Sequence, residues 1–546
     1  MAVRPSPPDA GVLFAGGPIL TMAGPLRVEA LAVRGDRIVA AGTLADCREV
    51  LGNGAHELDL AGRCLMPGFV DAHCHPLMLA QTDGWLDASP EAAPTIEALV
   101  DLLRARAAEL PAGVPLRAYG HDYRRIPEFR HPRATDLDRA ANDREIYVMN
   151  VSGHGGVLNT FGLSVHGITS STADIDGGHI GRGPDGSPDG LVWDAACDLL
   201  TGEDGVKVGR HGPNIHLPES PARLMRLLDD AQAAFLRAGV TTVVDAQVTR
   251  REMATYLRAR AGGRLRVRIE MLVLSSLLDE VLAMTIVERL GDDRCAVAGI
   301  KLYADGALGA GTAWFPDGYP GQPHQHGQLY HEPAAYRMLV HKAHTAGLRT
   351  ATHAQSPDAI GMVLDAISSA QRSAPRGDVR HRIEHCGLPT DEQIERMAQL
   401  RVVPVVQPGH HEAYGDGVIR SVGRELGERY NPIGAFVRAG VRVALSSDAP
   451  VSRPQPLRAV RAAVDRRTVS GTVLGGPELR VDVLTALRAH TLDAAYAVHR
   501  EGRVGSLEAG KLADLVVLSA DPVAVDLSAL DAIGVDETWV GGIRQV

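Results

Sequence analysis

The feature that most constrains this chain is a repeated pattern of short apolar runs, each followed by a helical stretch. Eight runs end near the following residues: His73, Asp245, Leu274, Tyr303, His353, His385, Gln407 and Asp448. Eight strand–helix steps are the number that a closed parallel barrel needs. The pattern therefore predicts a (β/α)8 barrel of the TIM type, with functional residues where its strands end, at the C-terminal face.

The two ends of the chain have a β-rich pattern instead. Two apolar runs flank Gly35-Asp36, which indicates a hairpin. The run 505–518 is similarly rich in strand-forming residues. We expect both termini to meet in one small β-sandwich domain, formed by residues 1–66 and 500–546. The barrel then occupies 67–499.

One step of the barrel is too long for a plain strand–helix unit. Residues from 77 to about 235 separate the first run from the second, and they carry strand patterns of their own at 117–121 and 146–151. We interpret them as an insertion over the barrel mouth, because long ordered connections are usually functional.

Composition excludes several classes of protein. The 546 residues carry a net charge of −10, which argues against binding nucleic acid through a basic surface. No run of about 20 apolar residues exists, so we expect no membrane span. Six scattered cysteines without a CxxC pair, and no secretory signal pattern, predict a cytoplasmic protein. Enrichment in Arg, Ala and Gly suggests a bacterial source.

The segment Pro67-Gly-Phe-Val-Asp-Ala-His-Cys-His75 is the sharpest chemical pattern. His73 and His75 are two apart on a strand, so both imidazoles point to one face. Two imidazoles at a strand end can bind one divalent ion at about 2.0–2.1 Å. The alternative is a pair of hydrogen-bonded core histidines. Cys74 points to the opposite face, and we expect it to pack in the core.

Other strand ends add donors of the same kind. His353 and His385 each finish an apolar run, Asp448 finishes another, and Lys301 lies within a buried-looking strand. A lone histidine at a strand end is more often structural. Four histidines, an aspartate and a lysine at the strand ends of one barrel predict a metal site.

The order of these residues resembles the amidohydrolase superfamily. The segments PGFVDAHCH, IKLYADGALG, RIEHCG and SSDAPVSRPQP resemble its amidohydrolase family 3, in particular the YtcJ-like branch with the N-substituted formamide deformylases. Matching motifs extend from about residue 33 to residue 542. The resemblance implies a metal-dependent hydrolase barrel, a small-molecule substrate and assembly as a homo-oligomer, most often a dimer.

The resemblance also implies a role for each donor. His73 and His75 would hold a more buried metal, and His353 and His385 a more exposed one. Asp448 would ligate the first metal and act as the general base.

Lys301 would be carbamylated to N6-carboxylysine and would bridge two metals in a binuclear centre. The alternative is an unmodified lysine beside a single ion. Imidazole and carboxylate ligands fit Zn, with Fe, Mn, Co or Ni also compatible.

The predicted function is hydrolysis of a carbon–nitrogen bond, in an amide or an N-acyl or N-formyl amine, by a metal-bound hydroxide with Asp448 as base. The alternatives are a cyclic amidase, an esterase or a deaminase on the same metal site, or a non-catalytic binding homologue.

Three further positions are interpreted with two readings each. His154, in a segment resembling the family motif SGHxxxxN, either polarises a substrate oxygen or stabilises its loop. His410 either contacts substrate or lies in a surface loop. Glu384 is either a salt-bridge partner of Arg382 or another barrel residue, or a metal ligand; we expect the salt bridge, because Glu384 alternates with His385 and so should face away from the site.

Overall fold

The computed structural model describes residues 11–285 and 289–546. The chain begins with short strands and one helix, which bring it to the edge of the barrel. These elements are β1 (Val12–Ala15), β2 (Ile19–Leu20), β3 (Arg27–Val28), β4 (Ala30–Arg34), β5 (Arg37–Gly42), α1 (Leu44–Leu51), β6 (His56–Asp59) and β7 (Cys64–Pro67).

The first barrel strand and its helix lead directly into the insertion. They are β8 (Phe69–Cys74) and α2 (Pro76–Asp83). The insertion then contributes β9 (Leu86–Asp87), α3 (Ile96–Glu109), β10 (Leu116–His121), α4 (Ala134–Asp138), β11 (Ile146–Asn150), β12 (Gly155–Leu158), α5 (Thr160–Val165), β13 (Gly178–Arg182) and β14 (Pro188–Asp194). Its strands form a separate six-stranded sheet in the order β13-β14-β12-β11-β10-β9.

The remaining barrel elements alternate between strand and helix. They are α6 (Pro221–Arg237), β15 (Val240–Val248), α7 (Arg250–Ala261), β16 (Arg268–Leu274), α8 (Leu278–Ala283), β17 (Leu290–Gly291), β18 (Cys295–Tyr303), α9 (Pro333–Thr345), β19 (Thr350–Ala354), α10 (Pro357–Ser373), β20 (Arg382–His385), α11 (Asp391–Leu400), β21 (Val403–Val406), α12 (Pro408–Val422), α13 (Arg424–Gly427), α14 (Ile433–Arg438), β22 (Ala444–Leu445), α15 (Pro456–Asp465), α16 (Val483–Ala489) and α17 (Leu492–Tyr496).

The eight predicted runs are the eight parallel strands of the barrel, in the order β22-β21-β20-β19-β18-β16-β15-β8. The two strands at the ends of this order approach each other, and the Asp448 N–H donates to the His73 carbonyl at 2.8 Å. Every residue of β15 and β18 is buried, because helices cover the outer face and side chains fill the interior. The predicted barrel is confirmed.

The C-terminal strands join the terminal sheet that contains β7, β2 and β3. They are β23 (Leu515–Leu518), β24 (Val535–Val540) and β25 (Ile543–Arg544). β23 pairs antiparallel with β7, with Leu515 opposite Pro67. Phe14 of the other terminal sheet packs edge-to-face on Trp539, with ring centroids 5.3 Å apart. Both termini thus share one apolar core, while the exact domain boundaries stay a prediction.

Across the described ranges, we find no helix that combines the length and the apolar character needed to cross a bilayer.

Candidate metal centre

Three of the predicted donors meet at the C-terminal mouth of the barrel. The Nε2 atoms of His73 and His75 lie 3.4 and 3.3 Å from Oδ1 of Asp448. All three donor atoms are within 4.8 Å of one another, which is the spacing of ligands around one ion. His73 is the penultimate residue of β8, His75 caps α2, and Asp448 follows β22.

A second group of donors shares the same carboxylate. His385, His410 and Asp448 also have donor atoms within 4.8 Å of one another, and His410 Nε2 is 3.5 Å from Asp448 Oδ2. The rings of His353 and His385 are 4.5 Å apart between centroids. Asp448 therefore presents one oxygen to each of two clusters of imidazoles. His410 is predicted either to contact substrate or to lie in a surface loop, and the structure places it buried at this site.

Hydrogen bonds fix which ring nitrogen of each histidine is available. His73 Nδ1 donates to Glu384 at 2.5 Å, His385 Nδ1 to Gln407 Oε1 at 2.8 Å, and His353 Nε2 to the Gly306 carbonyl at 3.1 Å. The opposite nitrogen of each ring remains available to a metal ion, as in metal sites where a neighbouring acceptor orients the imidazole.

Glu384 contradicts the expectation that it faces away from the site. It forms the predicted ion pair with Arg382, at 2.8 and 2.7 Å, but the same carboxylate contacts His73. Strand alternation fails here because His385 has a left-handed backbone, with φ of +65°. Glu384 thus points into the barrel as a regular strand residue, and the turn brings His385 to the mouth as well.

Lys301 is buried directly below these donors. Within the described part of the chain its Nζ has no hydrogen-bond partner, and it lies 4.5 Å from the ring centroid of Tyr303. Burial lowers the pKa of Lys301 to about 8, although Glu384 and Asp448 oppose the shift. A buried amine without a hydrogen-bond partner, next to two clusters of imidazoles, fits a site that a covalent modification or a metal ion completes.

Burial and charge also set the protonation of the other donors. Burial lowers the pKa values of His353 and His385 well below the usual range, so these rings are neutral, as a metal ligand must be. Burial alone would raise the pKa of Asp448, but the attraction of His73 and the hydrogen bonds from His73 and His75 outweigh it. Asp448 is therefore a carboxylate.

The insertion places His154 over this centre. The residue precedes β12, and its ring centroid lies 5.6 Å from that of His353. Its Nδ1 is 2.8 Å from Oδ1 of Asp194, the last residue of β14. Asp194 is not among the predicted site residues, because the pairing of β12 with β14, which brings it to His154, has no local signal in the sequence.

The cavity above the donors is mostly apolar. Its walls include Met78, Val151, Ile215, Val418 and Val451, together with three tyrosines. Among the described residues, no lysine or arginine lines it. The cavity therefore offers hydrogen bonds and apolar contact but no fixed cation for an anionic substituent.

Cys74 confirms the alternation expected within β8. Its side chain is fully buried on the face opposite His73 and His75, and its thiol contacts the Val244 carbonyl at 3.6 Å. Alternation therefore holds along the regular part of this strand.

Comparison with known proteins places the chain in one family. Residues 56–544 match the amidohydrolase family. N-substituted formamide deformylase of Arthrobacter pascens is 29% identical over 525 residues, which cover 94% of each chain. The putative amidohydrolase YtcJ of Bacillus subtilis is 27% identical, over 94% of this chain and 95% of that protein.

An uncharacterized metal-dependent hydrolase from Pyrococcus horikoshii has the same fold, with a TM-score of 0.76 at 23% identity. The match covers 95% of this chain and 99% of that one. Since the family match spans most of the chain, the protein belongs to the amidohydrolase family and is a hydrolase of carbon–nitrogen bonds.

Proposed function

We propose that the protein uses divalent metal to hydrolyse the amide bond of a small, uncharged N-acyl amine, with an N-formyl amine as the first candidate. The observation that carries the proposal is the convergence of imidazoles, a carboxylate and an orphaned lysine below one apolar cavity. The deformylase relative supports the formyl group, and the Pyrococcus protein, named as metal-dependent, supports the cofactor.

The residues present fit two adjacent ions. His73, His75 and Asp448 would hold one, and His353 and His385 the other, each from the nitrogen that faces the centre. In the bound state, divalent metal acidifies water and polarises a carbonyl. We propose Zn on the chemistry of the donors, which are imidazole and carboxylate without thiolate.

Lys301 would complete the centre as a carbamate. Its pKa of about 8 leaves part of the amine neutral near physiological pH, and only the neutral amine reacts with CO2. Carbamylation replaces a cation that would repel a metal by an anionic oxygen donor.

Asp448 carries the proton in this reaction. Its carboxylate is ionised and lies at the centre of both clusters, so it accepts a proton from the attacking water. The same group then delivers that proton to the leaving nitrogen, which a departing amine requires. Such general acid–base steps contribute about 10²–10⁴-fold to the rate.

The cavity selects uncharged substrates. A carboxylate or phosphate on the substrate would lose its hydration on entering an apolar cavity without gaining a cationic partner. N-alkyl and N-benzyl formamides satisfy this condition, whereas N-formyl amino acids do not.

The test combines elemental analysis of protein purified without chelator with a matched substrate panel. We expect bound transition metal, and hydrolysis of N-benzylformamide at least ~10-fold faster in kcat/KM than of N-formylphenylalanine. Two ions per chain support the carbamate bridge, and one overturns it. Metal-loaded protein that hydrolyses esters or releases ammonia, but cleaves no amide, overturns the choice of substrate.

A further inference from the structure

The insertion contains a buried pair of residues that the metal centre does not explain. Asp194 is 0% exposed, and its Oδ1 lies 2.8 Å from Nδ1 of His154. The backbones are joined as well, since the Asp194 N–H donates to the His154 carbonyl at 2.6 Å. The two residues are therefore held together through both main chain and side chain.

Three groups converge on the Asp194 carboxylate. Besides His154, the hydroxyl of Tyr330 donates to Oδ1 at 2.5 Å, and the amide of Gln328 donates to Oδ2. Both partners belong to the barrel connection between β18 and α9, so this contact ties the insertion to the barrel. Asp194 adopts φ of +54°, a conformation that non-glycine residues hold only where their surroundings fix it.

The carboxylate decides where the proton of His154 lies. A carboxylate only accepts hydrogen bonds, so the proton is on Nδ1. With the proton on Nδ1, the opposite nitrogen, Nε2, is the acceptor of the imidazole ring. Within the described residues no hydrogen bond occupies that atom, and His154 lines the cavity.

We propose that Asp194 is a positioning residue that turns Nε2 of His154 to the cavity as a hydrogen-bond acceptor for the N–H of a secondary amide. A substrate oxygen cannot fill this place, because both atoms would be acceptors. This role differs from the oxygen-polarising role predicted from the sequence, which stays a prediction. It rests on the proposed amide hydrolysis and narrows the substrate to amides with one substituent on nitrogen.

The test compares N-benzylformamide with N-benzyl-N-methylformamide, which lacks the N–H. We expect wild-type protein to favour the secondary amide by about 10-fold in kcat/KM, the typical value of one hydrogen bond. His154→Phe keeps a ring but loses the acceptor, and should reduce this preference to the steric effect of the methyl group. His154→Gln, whose amide oxygen accepts, should restore part of it.

Asp194→Asn tests the positioning role. The asparagine amide can donate to Nδ1 and move the proton to Nε2, so the preference for the secondary amide should disappear while metal content stays unchanged. The double variant Asp194→Asn/His154→Phe should show the same preference for the secondary amide as His154→Phe alone. Gln328→Leu, the matched control, removes the donor to Oδ2 of the same carboxylate and should keep most of the preference. If Asp194→Asn fails to fold, Asp194→Gly removes the carboxylate and suits the positive φ.

Two results would overturn the inference: a wild-type preference equal to that of His154→Phe, or an unchanged preference in Asp194→Asn. A readout without turnover separates it from the proposed function. In ¹⁵N-histidine NMR spectra of the wild-type protein, the signals of His154 are those that disappear in His154→Gln. We expect their chemical shifts to indicate a neutral ring protonated at Nδ1. Asp194→Asn should change these chemical shifts. Protein with these signals but no amidase activity would contradict the proposed function alone.

Discussion

Two strand ends of the barrel supply histidines to the same centre in different ways. At β8, His73 and His75 flank Cys74, and regular alternation sends the two imidazoles to the mouth and the thiol to the core. At β20, the adjacent residues Glu384 and His385 both reach the site, because the backbone of His385 turns left-handed.

The ends of β8 and β20 thus contribute to the site in different ways. The regular end presents two candidate donor atoms, whereas the turned end presents one candidate donor and also the acceptor that orients His73 on the other strand. Glu384 holds Nδ1 of His73 across the barrel, 311 positions away in sequence. A strand that kept its alternation at His385 could not offer both groups.

The largest expected effect is at Asp448, which both strand ends face. Asp448→Asn removes the proton acceptor but keeps the size and an oxygen donor, and asparagine tolerates the φ of +58° found here. We expect kcat to fall about 10²–10⁴-fold or more with unchanged thermal unfolding. Steady-state kinetics on N-benzylformamide checks this, with Asp279→Asn on the surface as the control. Full turnover in Asp448→Asn would remove it as the base.

Glu384→Gln weakens the ion pair with Arg382 on β20 and the hydrogen bond that orients His73 on β8. It leaves Arg382 buried without its partner, which typically costs about 3–5 kcal/mol of the free energy of unfolding. It also frees the His73 ring, so metal affinity should fall about 10–100-fold. Urea unfolding and metal titration measure the two effects.

The matched control for Glu384→Gln is Asp365→Asn, which breaks the exposed pair with Arg396 and should cost less than about 1 kcal/mol. Equal destabilisation by the two substitutions would show that burial of the Glu384 pair has no special role.

Lys301 should make carbamylation and metal uptake depend on pH. Since its pKa is about 8, the neutral amine increases as pH rises through that value and decreases below it. At a fixed CO2 concentration, carbamylation and metal uptake by apoprotein should be roughly tenfold faster at pH 9 than at pH 7. Lys301→Ala should abolish this dependence, and short carboxylic acids should partly restore metal binding. Uptake independent of both pH and CO2 would favour a single ion beside a free lysine.

Cys74→Ala is the smallest perturbation, because it changes the core-facing residue between two ligands. We expect a loss of about 1 kcal/mol of stability, as for a typical buried substitution, and no change in metal content. Elemental analysis and thermal unfolding check this result. A loss of metal would mean that Cys74 contributes to the site, contrary to its position on the opposite face.

Much of the fold was predictable because its signals are local. The apolar runs that become β15 and β18 are continuous, as expected for strands covered on both faces, and the polar residues that follow such runs mark the mouth. The HxH spacing within β8 is likewise a property of one regular strand. By contrast, Glu384 was misassigned, since the turn at His385 depends on backbone torsion rather than on a residue pattern.

The barrel strands, the kinds of donor at each strand end and the family could all be predicted from residue type and local spacing. The tertiary structure decided which side chains share a hydrogen bond: His73 with Glu384, and His154 with Asp194. The first pair forms across the barrel, and the second forms because β12 pairs with β14. Such contacts between distant segments come from strand register and backbone turns, which no single segment encodes.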